Sequence, residues 1–253
     1  MAAGNRRVGD MTEHESNDMA PGGDPAAGAP GTTPPGDGRA EALRGFGPLG
    51  IVAFVLILLG NAVVVPLSAV LVLLWVRLSR TPWRAIGYVR PRSWAVTVVG
   101  GIVFGGAFKL AMKSLVMPLL GADPVNHTFH YLSGNRAALP FAIYLMVAGA
   151  GFGEETLWRG FLFERFGRWL GVGTVALTVT VLVTSVLFAL AHYSQQGLTG
   201  VEQALITGLV FGTIRAGTSR IPLLIVAHAA FDLTALYLIY RDLETPVAHW
   251  FFR

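Results

Sequence analysis

Apolar runs long enough to cross a lipid bilayer dominate the chain after residue 44, and they constrain its fold more than any other feature. A hydrocarbon core about 30 Å thick requires roughly 20 apolar residues in a helix. The sequence is 53% hydrophobic and only 13% charged, whereas soluble domains usually carry about 25% charged residues. We therefore predict an all-α fold, a polytopic transmembrane helix bundle with about six membrane-spanning segments.

The sequence makes a separate structural prediction for the first and for the fifth apolar run. The first has no charged residue and is predicted as one long, tilted span that Pro66 kinks. The fifth is weak, because only the stretch between Glu202 and Arg215 is free of charge, and it is predicted either to span or to re-enter. The six runs are residues 45–76, 95–120, 138–163, 172–192, 201–215 and 221–240.

Arginines in the short loops predict an orientation. The loops after the first, third and fifth runs are rich in arginine, whereas the opposite loops hold Arg136 alone. Short loops rich in Lys and Arg face the cytoplasm, so we expect six crossings with the N-terminus on the other side. We expect no nucleic-acid partner, because these arginines flank membrane segments. The arginines are Arg77, Arg80, Arg84, Arg90, Arg92, Arg165, Arg168, Arg215 and Arg220.

The first 44 residues differ in composition from the rest of the chain. They are rich in Pro, Gly and Ala, and such a segment buries too little apolar surface to offset the entropy of ordering. We predict that residues 1–44 are a disordered tail and that residues 45–253 form the helical bundle. The sequence contains no cysteine, which excludes thiolate zinc sites and a cysteine nucleophile.

Ionisable residues within apolar runs mark the candidate site. A charged side chain at mid-bilayer costs about 2.5 to 3.5 kcal/mol, so its default interpretation is functional. Glu155 and Arg159 are four residues apart and are predicted to form a structural ion pair. Glu154 is rotated about 100° from Glu155 on the helix and lacks that partner. It can face a different cavity and is a candidate general base.

Two histidines and an aspartate complete the candidate set. His228 and Asp232 lie on one helix face, and His192 ends the fourth run. A glutamate and a histidine can polarise a water molecule, while a histidine and an aspartate can stabilise an oxyanion. The second role needs Asp232 in its protonated form; otherwise Asp232 orients His228. If its helix is straight, His192 would lie about 30 Å from the arginine-rich end, so a tilt, a kink or a later start must bring it inward.

Other polar and small residues have less specific interpretations. Lys109 and Lys113 carry like charges four residues apart, and we expect them to line an aqueous cavity or to snorkel. A cluster of glycines in the second run is predicted to allow close helix packing. These are Gly100, Gly101, Gly105 and Gly106.

Three motifs resemble those of the CAAX prenyl protease type 2 family, also called CPBP or Abi intramembrane proteases. The family pattern is EExxxR, then FxxxH, then HxxxN or HxxxD on successive helices. Here it is matched by the segments 154–159, 188–192 and 228–232, and the resemblance covers roughly residues 137–240. Asp232 stands where the eukaryotic members have Asn, which departs from the pattern of enzymes that cut CAAX proteins.

The resemblance implies an intramembrane endopeptidase that hydrolyses a peptide bond with a glutamate-activated water and no cofactor. Glu154 would be the base, assisted by His192, with His228 and Asp232 on the oxyanion side. Glu155 and Arg159 would support the site. The partners would be a peptide or protein substrate and the lipid bilayer, and the location a bacterial cell membrane. Family members remove the last three residues of prenylated CAAX proteins or are linked to bacteriocin maturation and self-immunity.

Three alternatives remain open at this point. Glu154, His192 and His228 could bind zinc as three ligands with an open position, although the HExxH motif is absent. The protein could instead be a non-catalytic immunity factor or scaffold that binds a peptide without cutting it. It could also be a small transporter that uses its acids as a proton relay.

Overall fold

The computed structural model describes residues 37–252, and all the regular structure in that range is helical. The helices of the first half are α1 (Asp37–Arg44), α2 (Pro48–Val63), α3 (Leu67–Leu78), α4 (Trp94–Ala111) and α5 (Met117–Leu119). Those of the second half are α6 (Leu139–Tyr144), α7 (Leu162–Leu170), α8 (Thr174–Ala191), α9 (Tyr193–Thr218), α10 (Pro222–Tyr240) and α11 (Glu244–Ala248). Two π-helical segments, Met112–Val116 and Leu145–Phe161, join α4 to α5 and α6 to α7. Short 3₁₀ turns occur at Trp83–Ile86 and His130–Leu132.

Within residues 37–252, four helical runs are long and apolar enough to cross a membrane. They are Trp94–Leu119, Thr174–Ala191, Tyr193–Thr218 and Pro222–Tyr240, and α1 with α2 adds a fifth if that pair, bent by 55°, counts as one span. The predicted all-α membrane bundle is confirmed, whereas the predicted count of six spans is not. The weak fifth run belongs to α9, which breaks at Gly197, where φ is 62°, and the part from Leu198 to Thr218 is still long enough to span.

The first apolar run folds back on itself as a helical hairpin. Helix α2 ends at Val63 and α3 begins at Leu67. Asn61 and Ser68 cross the turn, because each side-chain oxygen accepts a hydrogen bond from the other residue's backbone N–H, at 2.9 and 3.0 Å. Trp75, near the end of α3, donates its indole N–H to the Leu43 carbonyl at 3.0 Å. The prediction of one kinked span over residues 45–76 is therefore wrong.

The hairpin brings the start of the described chain to the arginine-rich end of the bundle. Arg165, at that end of α7, donates Nη1 to the Arg44 carbonyl at 2.7 Å and Nη2 to the Gly45 carbonyl at 2.9 Å. The sequence predicted these two ends on opposite sides, because it counted the hairpin as a single crossing. The described chain instead begins on the same side as Arg165.

Part of the predicted disordered tail is helical. Residues 37–44 form α1, where Ala40 is buried against the rest of the bundle. The predicted boundary at residue 44 is wrong for these residues, because a docked helix satisfies its backbone and buries apolar surface. Residues 1–36 lie outside the described range, so the prediction made for them stays a prediction.

The third apolar run is one continuous helical rod from Leu139 to Leu170, with the long π-helical segment at its centre. The rod packs against α10 on one side and against the α2–α3 hairpin on the other. Gly151 permits the close approach of α10, since an added Cβ would lie 2.9 Å from the Ile225 carbonyl oxygen. This central position explains how the rod carries charged residues without exposing them to lipid.

Helix α4 packs closely on α10 through glycine, as predicted. A Cβ at Gly101 would lie 2.7 Å from Val226, and one at Gly105 would overlap the Ala227 carbonyl oxygen. Gly100 and Gly106 make looser approaches, with their nearest neighbours at 3.9 and 3.5 Å. The close contact between α4 and α10 therefore depends on the face of α4 that carries Gly101 and Gly105.

We expect Gly105→Ala to destabilise the bundle, because its methyl group would force α4 away from the Ala227 carbonyl. Overpacking of this kind typically costs about 1 to 3 kcal/mol. Gly100→Ala is the matched control, since it makes the same change in the same helix where space is available. Thermal unfolding in detergent should show a lower midpoint for Gly105→Ala only, and equal midpoints would contradict the close-packing interpretation.

Candidate active site

A buried chain of three ionisable side chains lies at the centre of the bundle. Arg159 donates Nη1 to Oε1 of Glu155 at 2.9 Å, and Nδ1 of His228 lies 2.7 Å from the same oxygen. The three side chains are 2%, 0% and 5% exposed. The i,i+4 ion pair expected from the sequence is present, and it also reaches across to α10.

The contact with Glu155 fixes the orientation of His228. A carboxylate oxygen bonded to a guanidinium can only accept, so Nδ1 of His228 is the donor. Nε2, the other ring nitrogen, therefore faces away from Glu155. It lies 3.8 Å from Oε2 of Glu154 and 3.9 Å from Oδ2 of Asp232. Glu155 therefore holds the ring through Nδ1, and Asp232 lies near the other ring nitrogen.

A second layer of the site is partly accessible. The side chains of Glu154 and Asp232 are 25% and 27% exposed, and His192 is half-buried. Glu154 Oε2 is itself enclosed and has no hydrogen-bond partner among the atoms of residues 37–252. An acceptor of this kind is available to a small hydrogen-bond donor such as water.

His192 enters the site from the end of α8. Its Nδ1 lies 2.8 Å from the Phe188 carbonyl oxygen, which can only accept, so Nδ1 carries the proton. In the neutral ring Nε2 then holds the free lone pair. The Phe188 ring links the two histidines, with centroids 4.6 Å from His192 and 6.1 Å from His228.

The depth of His192 does not arise from a kink or from a much later start. Helix α8 runs unbroken from Thr174 to Ala191, and its start is only two residues later than the sequence suggested.

Aromatic rings surround the buried charges. The Arg159 guanidinium carbon lies 4.4 Å from the ring centroid of Phe188 and 5.7 Å from that of Phe211. Phe211 also makes an edge contact with His228 at 5.5 Å. Sequence reasoning missed Phe211, because an apolar residue in an apolar run carries no signal that distinguishes it.

Arg215 supports the rod from α9. The sequence assigned it only to an arginine-rich loop, but it is 6% exposed and lies within α9. It donates Nε to the Arg159 carbonyl at 2.9 Å and Nη2 to the Ala85 carbonyl at 3.1 Å. Arg215 therefore ties the loop before α4 to the π-helical segment that carries Arg159.

The residues considered as zinc ligands do not form a metal site. In the described part of the chain, no group of three His, Cys, Asp or Glu side chains is arranged to hold one metal ion. Glu154, His192 and His228 therefore do not fit one zinc ion as three ligands in this arrangement.

These features together define an integral membrane protein with a buried polar site inside a helical bundle. Residues 136–234 match the family model described as type II CAAX prenyl endopeptidase Rce1-like, and this region contains all six predicted site residues. The resemblance to this protease family is confirmed over these residues. No curated protein and no solved structure gives a significant match.

We expect Arg159→Leu to destabilise the protein strongly, because it leaves the buried carboxylate of Glu155 without its main counter-charge. Breaking a buried ion pair typically costs about 3 to 5 kcal/mol. Arg168→Leu is the control, since it removes another i,i+4 arginine, one that is 45% exposed, from Glu164, which is buried but keeps Arg165 at 3.7 Å. Comparable losses in chemical denaturation would contradict a central role for Arg159.

Proposed function

We propose that this protein is an intramembrane endopeptidase that hydrolyses a peptide bond with a water molecule activated by Glu154. One observation carries this proposal. Oε2 of Glu154 is enclosed, has no hydrogen-bond partner within residues 37–252, and lies 3.8 Å from Nε2 of His228. The His228 ring is itself held in place by the contact between its Nδ1 and Glu155. The family match supports a protease acting on a protein substrate. The glutamate mechanism is our inference from the geometry.

Glu154 and His192 together orient the water. Both offer acceptors, one carboxylate oxygen and one imidazole lone pair, so each can accept one of the two protons of water. The water oxygen then directs a lone pair at the substrate carbonyl carbon. Glu154 takes the proton as the C–O bond forms, and it returns this proton to the departing nitrogen as the C–N bond breaks.

His228 stabilises the oxyanion in this mechanism. With Nδ1 bonded to Glu155, a second proton on Nε2 makes the ring a cationic donor directed at the site. Asp232 and Glu154 lie near Nε2 and favour that protonated state electrostatically. Asp232 is thus a positioning residue that acts through His228, as Glu155 does from the other side.

Opposite charges lie close together in this arrangement. Arg159 and protonated His228 contribute two positive charges, and Glu155, Glu154 and Asp232 contribute three negative charges. Each buried cation therefore has a carboxylate neighbour, which lowers the cost of holding an ion in a low-dielectric interior. The developing oxyanion then meets a fixed cationic donor without rearrangement of the protein, which is the usual source of electrostatic catalysis.

We also propose a location and a substrate class. The arginine-rich end would face the cytoplasm, since the positive-inside rule applies to its short loops, and a bacterial cell membrane is the expected setting. The family name supports a CAAX-type substrate, and a bacteriocin-like peptide is the second candidate.

We expect Glu154→Gln to abolish cleavage while the protein still folds, because the amide cannot accept the proton of water. Loss of a general base costs about 10²- to 10⁴-fold in rate. The measurement is proteomics of N- and C-terminal peptide ends in cells that express the wild type or the variant. Glu41→Gln, on the distant and exposed end of α1, is the matched control. If wild type and Glu154→Gln produced the same peptide ends while the cellular function persisted, the non-catalytic binder would be favoured.

Chelation separates this mechanism from its zinc-dependent alternative. We expect hydrolysis of an identified substrate by the detergent-solubilised protein to survive EDTA and 1,10-phenanthroline. The reason is that Glu154, His192 and His228 are not arranged to share one metal ion. A loss of activity that added Zn²⁺ restores would overturn the metal-free mechanism.

A further inference from the structure

A cleft at the arginine-rich end of the bundle is lined by charged side chains that the proposed mechanism does not use. It has a volume of about 570 Å³ and lies between the loop before α4 and the end of α9. Sites for small ligands usually measure about 300 to 1,000 Å³, so the cleft is large enough for one. Its polar walls are Arg92, Ser93, Thr218 and Arg220.

The two arginines of the cleft carry charges that no carboxylate neutralises. Both are exposed, and within residues 37–252 neither side chain has a hydrogen bond or an ion pair. The segments that contribute them, residues 77–94 and 215–221, hold seven arginines and no Asp or Glu. Two unpaired guanidinium groups are complementary to an anion, and to phosphate in particular, because the planar guanidinium matches the geometry of phosphate oxygens.

Ser93 adds a neutral donor to this cationic wall. Its Oγ accepts a hydrogen bond from the Val96 N–H at 3.3 Å, and its own O–H has no acceptor among residues 37–252. The Thr218 hydroxyl, in contrast, already donates to the Ile214 carbonyl at 2.7 Å. The cleft therefore presents two guanidinium groups and one free hydroxyl, and none of the residues that line it is acidic.

The cleft lies at the level where the membrane spans end. Helix α4 begins at Trp94, α9 ends at Thr218 and α10 begins at Pro222. Trp94, which directly follows Ser93, is 55% exposed, and tryptophan is enriched at the membrane–water interface. The cleft is therefore expected at the depth of the lipid headgroups.

An apolar stripe leads from the cleft toward the hydrocarbon region. Val96 lines the cleft, and Val99 and Val103 share its face of α4, since they follow at intervals of three and seven residues. The three valines are 70%, 60% and 63% exposed. Val103 lies about 10 Å further along the helix axis than Val96. A ligand with its phosphate in the cleft can lay an acyl chain along this stripe, whereas a free phosphate cannot use it.

We propose that the cleft binds the headgroup of an anionic phospholipid, with Arg92 and Arg220 as the ligands of its phosphate. The proposed cytoplasmic orientation of this end agrees with such a ligand, because the cytoplasmic leaflet carries anionic lipids. The inference does not depend on the proposed peptidase mechanism, since no proposed catalytic residue lines the cleft.

A lipid in this position would bridge two segments that also support the rod. Arg215, in the last turn of α9, donates to the carbonyls of Arg159 and Ala85, and the Ile221 N–H donates to the Gly87 carbonyl at 3.0 Å. The end of α9 and the loop before α4 are therefore already joined by hydrogen bonds. A bound lipid would strengthen the same connection from the membrane side.

The test compares two lipids that share a phosphate and the same acyl chains but differ in net charge. Phosphatidylglycerol is anionic, whereas the choline group makes phosphatidylcholine neutral overall. Their association constants are measured by native mass spectrometry of the full-length protein, delipidated in neutral detergent. We expect phosphatidylglycerol to bind about 10- to 30-fold more tightly, because each basic residue near a membrane surface contributes about a fivefold preference.

Variants then assign the preference to the two arginines. Arg92→Gln with Arg220→Gln should bring the two lipids to nearly equal affinity, whereas Arg92→Lys with Arg220→Lys should retain most of the preference, because the charges remain. The matched control is Arg77→Gln with Arg84→Gln, which removes the same charge from exposed arginines outside the cleft. It should leave the preference unchanged.

Thermal stability provides a second readout of the same site. A ligand that binds only the folded state raises the unfolding midpoint. Phosphatidylglycerol should therefore raise the midpoint of the wild type and of the control pair, but not that of the Arg92→Gln and Arg220→Gln pair. Midpoints in phosphatidylcholine alone show whether each variant is folded.

A competition experiment identifies the source of the phosphate. Glycerol phosphate carries the charged group without acyl chains, so at equal concentration it should not displace phosphatidylglycerol. Displacement would assign the cleft to a soluble phosphate compound and overturn the lipid site. Equal affinities of the two lipids for the wild type, or a preference that survives Arg92→Gln with Arg220→Gln, would overturn it as well. Equal losses in the two glutamine pairs would do the same, because the preference would then belong to the overall charge of this end.

Discussion

The hydrogen-bonded chain from Arg159 through Glu155 to His228 is the interaction on which the rest of the structure depends. Three ionisable groups almost fully withdrawn from solvent are tolerated only while each has its partner. Two of them belong to the rod and the third to α10, so the two elements must stay at close range. The glycine contact at Gly151 allows that approach. Packing and electrostatics therefore impose the same requirement on these helices.

Burial divides the site into two layers with different tasks. The inner layer is buried, and it fixes the position and the proton of one imidazole. The outer layer, with Glu154, His192 and Asp232, is partly exposed. In the proposed mechanism, this division lets the outer residues meet water and a peptide while the charges behind them stay fixed in a low-dielectric interior.

Helical spacing and hydropathy predicted much of this site because both act locally along the chain. The Glu155–Arg159 pair followed from an interval of four residues, and the glycines of α4 followed from their clustering. The contact between Glu155 and His228 joins two helices, and spacing within one helix contains no information on it. The hairpin of α2 and α3 was missed for a related reason. Hydropathy reports that a run is apolar but not where its backbone reverses, and only Pro66 marked the place.

The π-helical segment at the centre of the rod makes the site sensitive to the number of residues as well as to their chemistry. A π-helical turn holds more residues than an α-helical turn, because its hydrogen bonds run from i to i+5. The glutamate pair stands well inside this wider stretch, with α-helix on both sides. Loss of a single glycine between Leu145 and Glu154 would leave hydropathy and motifs almost intact. It would nevertheless rotate the residues on one side of the deletion relative to α10 and change the geometry of the candidate active site. Two sequences that differ by one such deletion would share every motif but not the same site geometry.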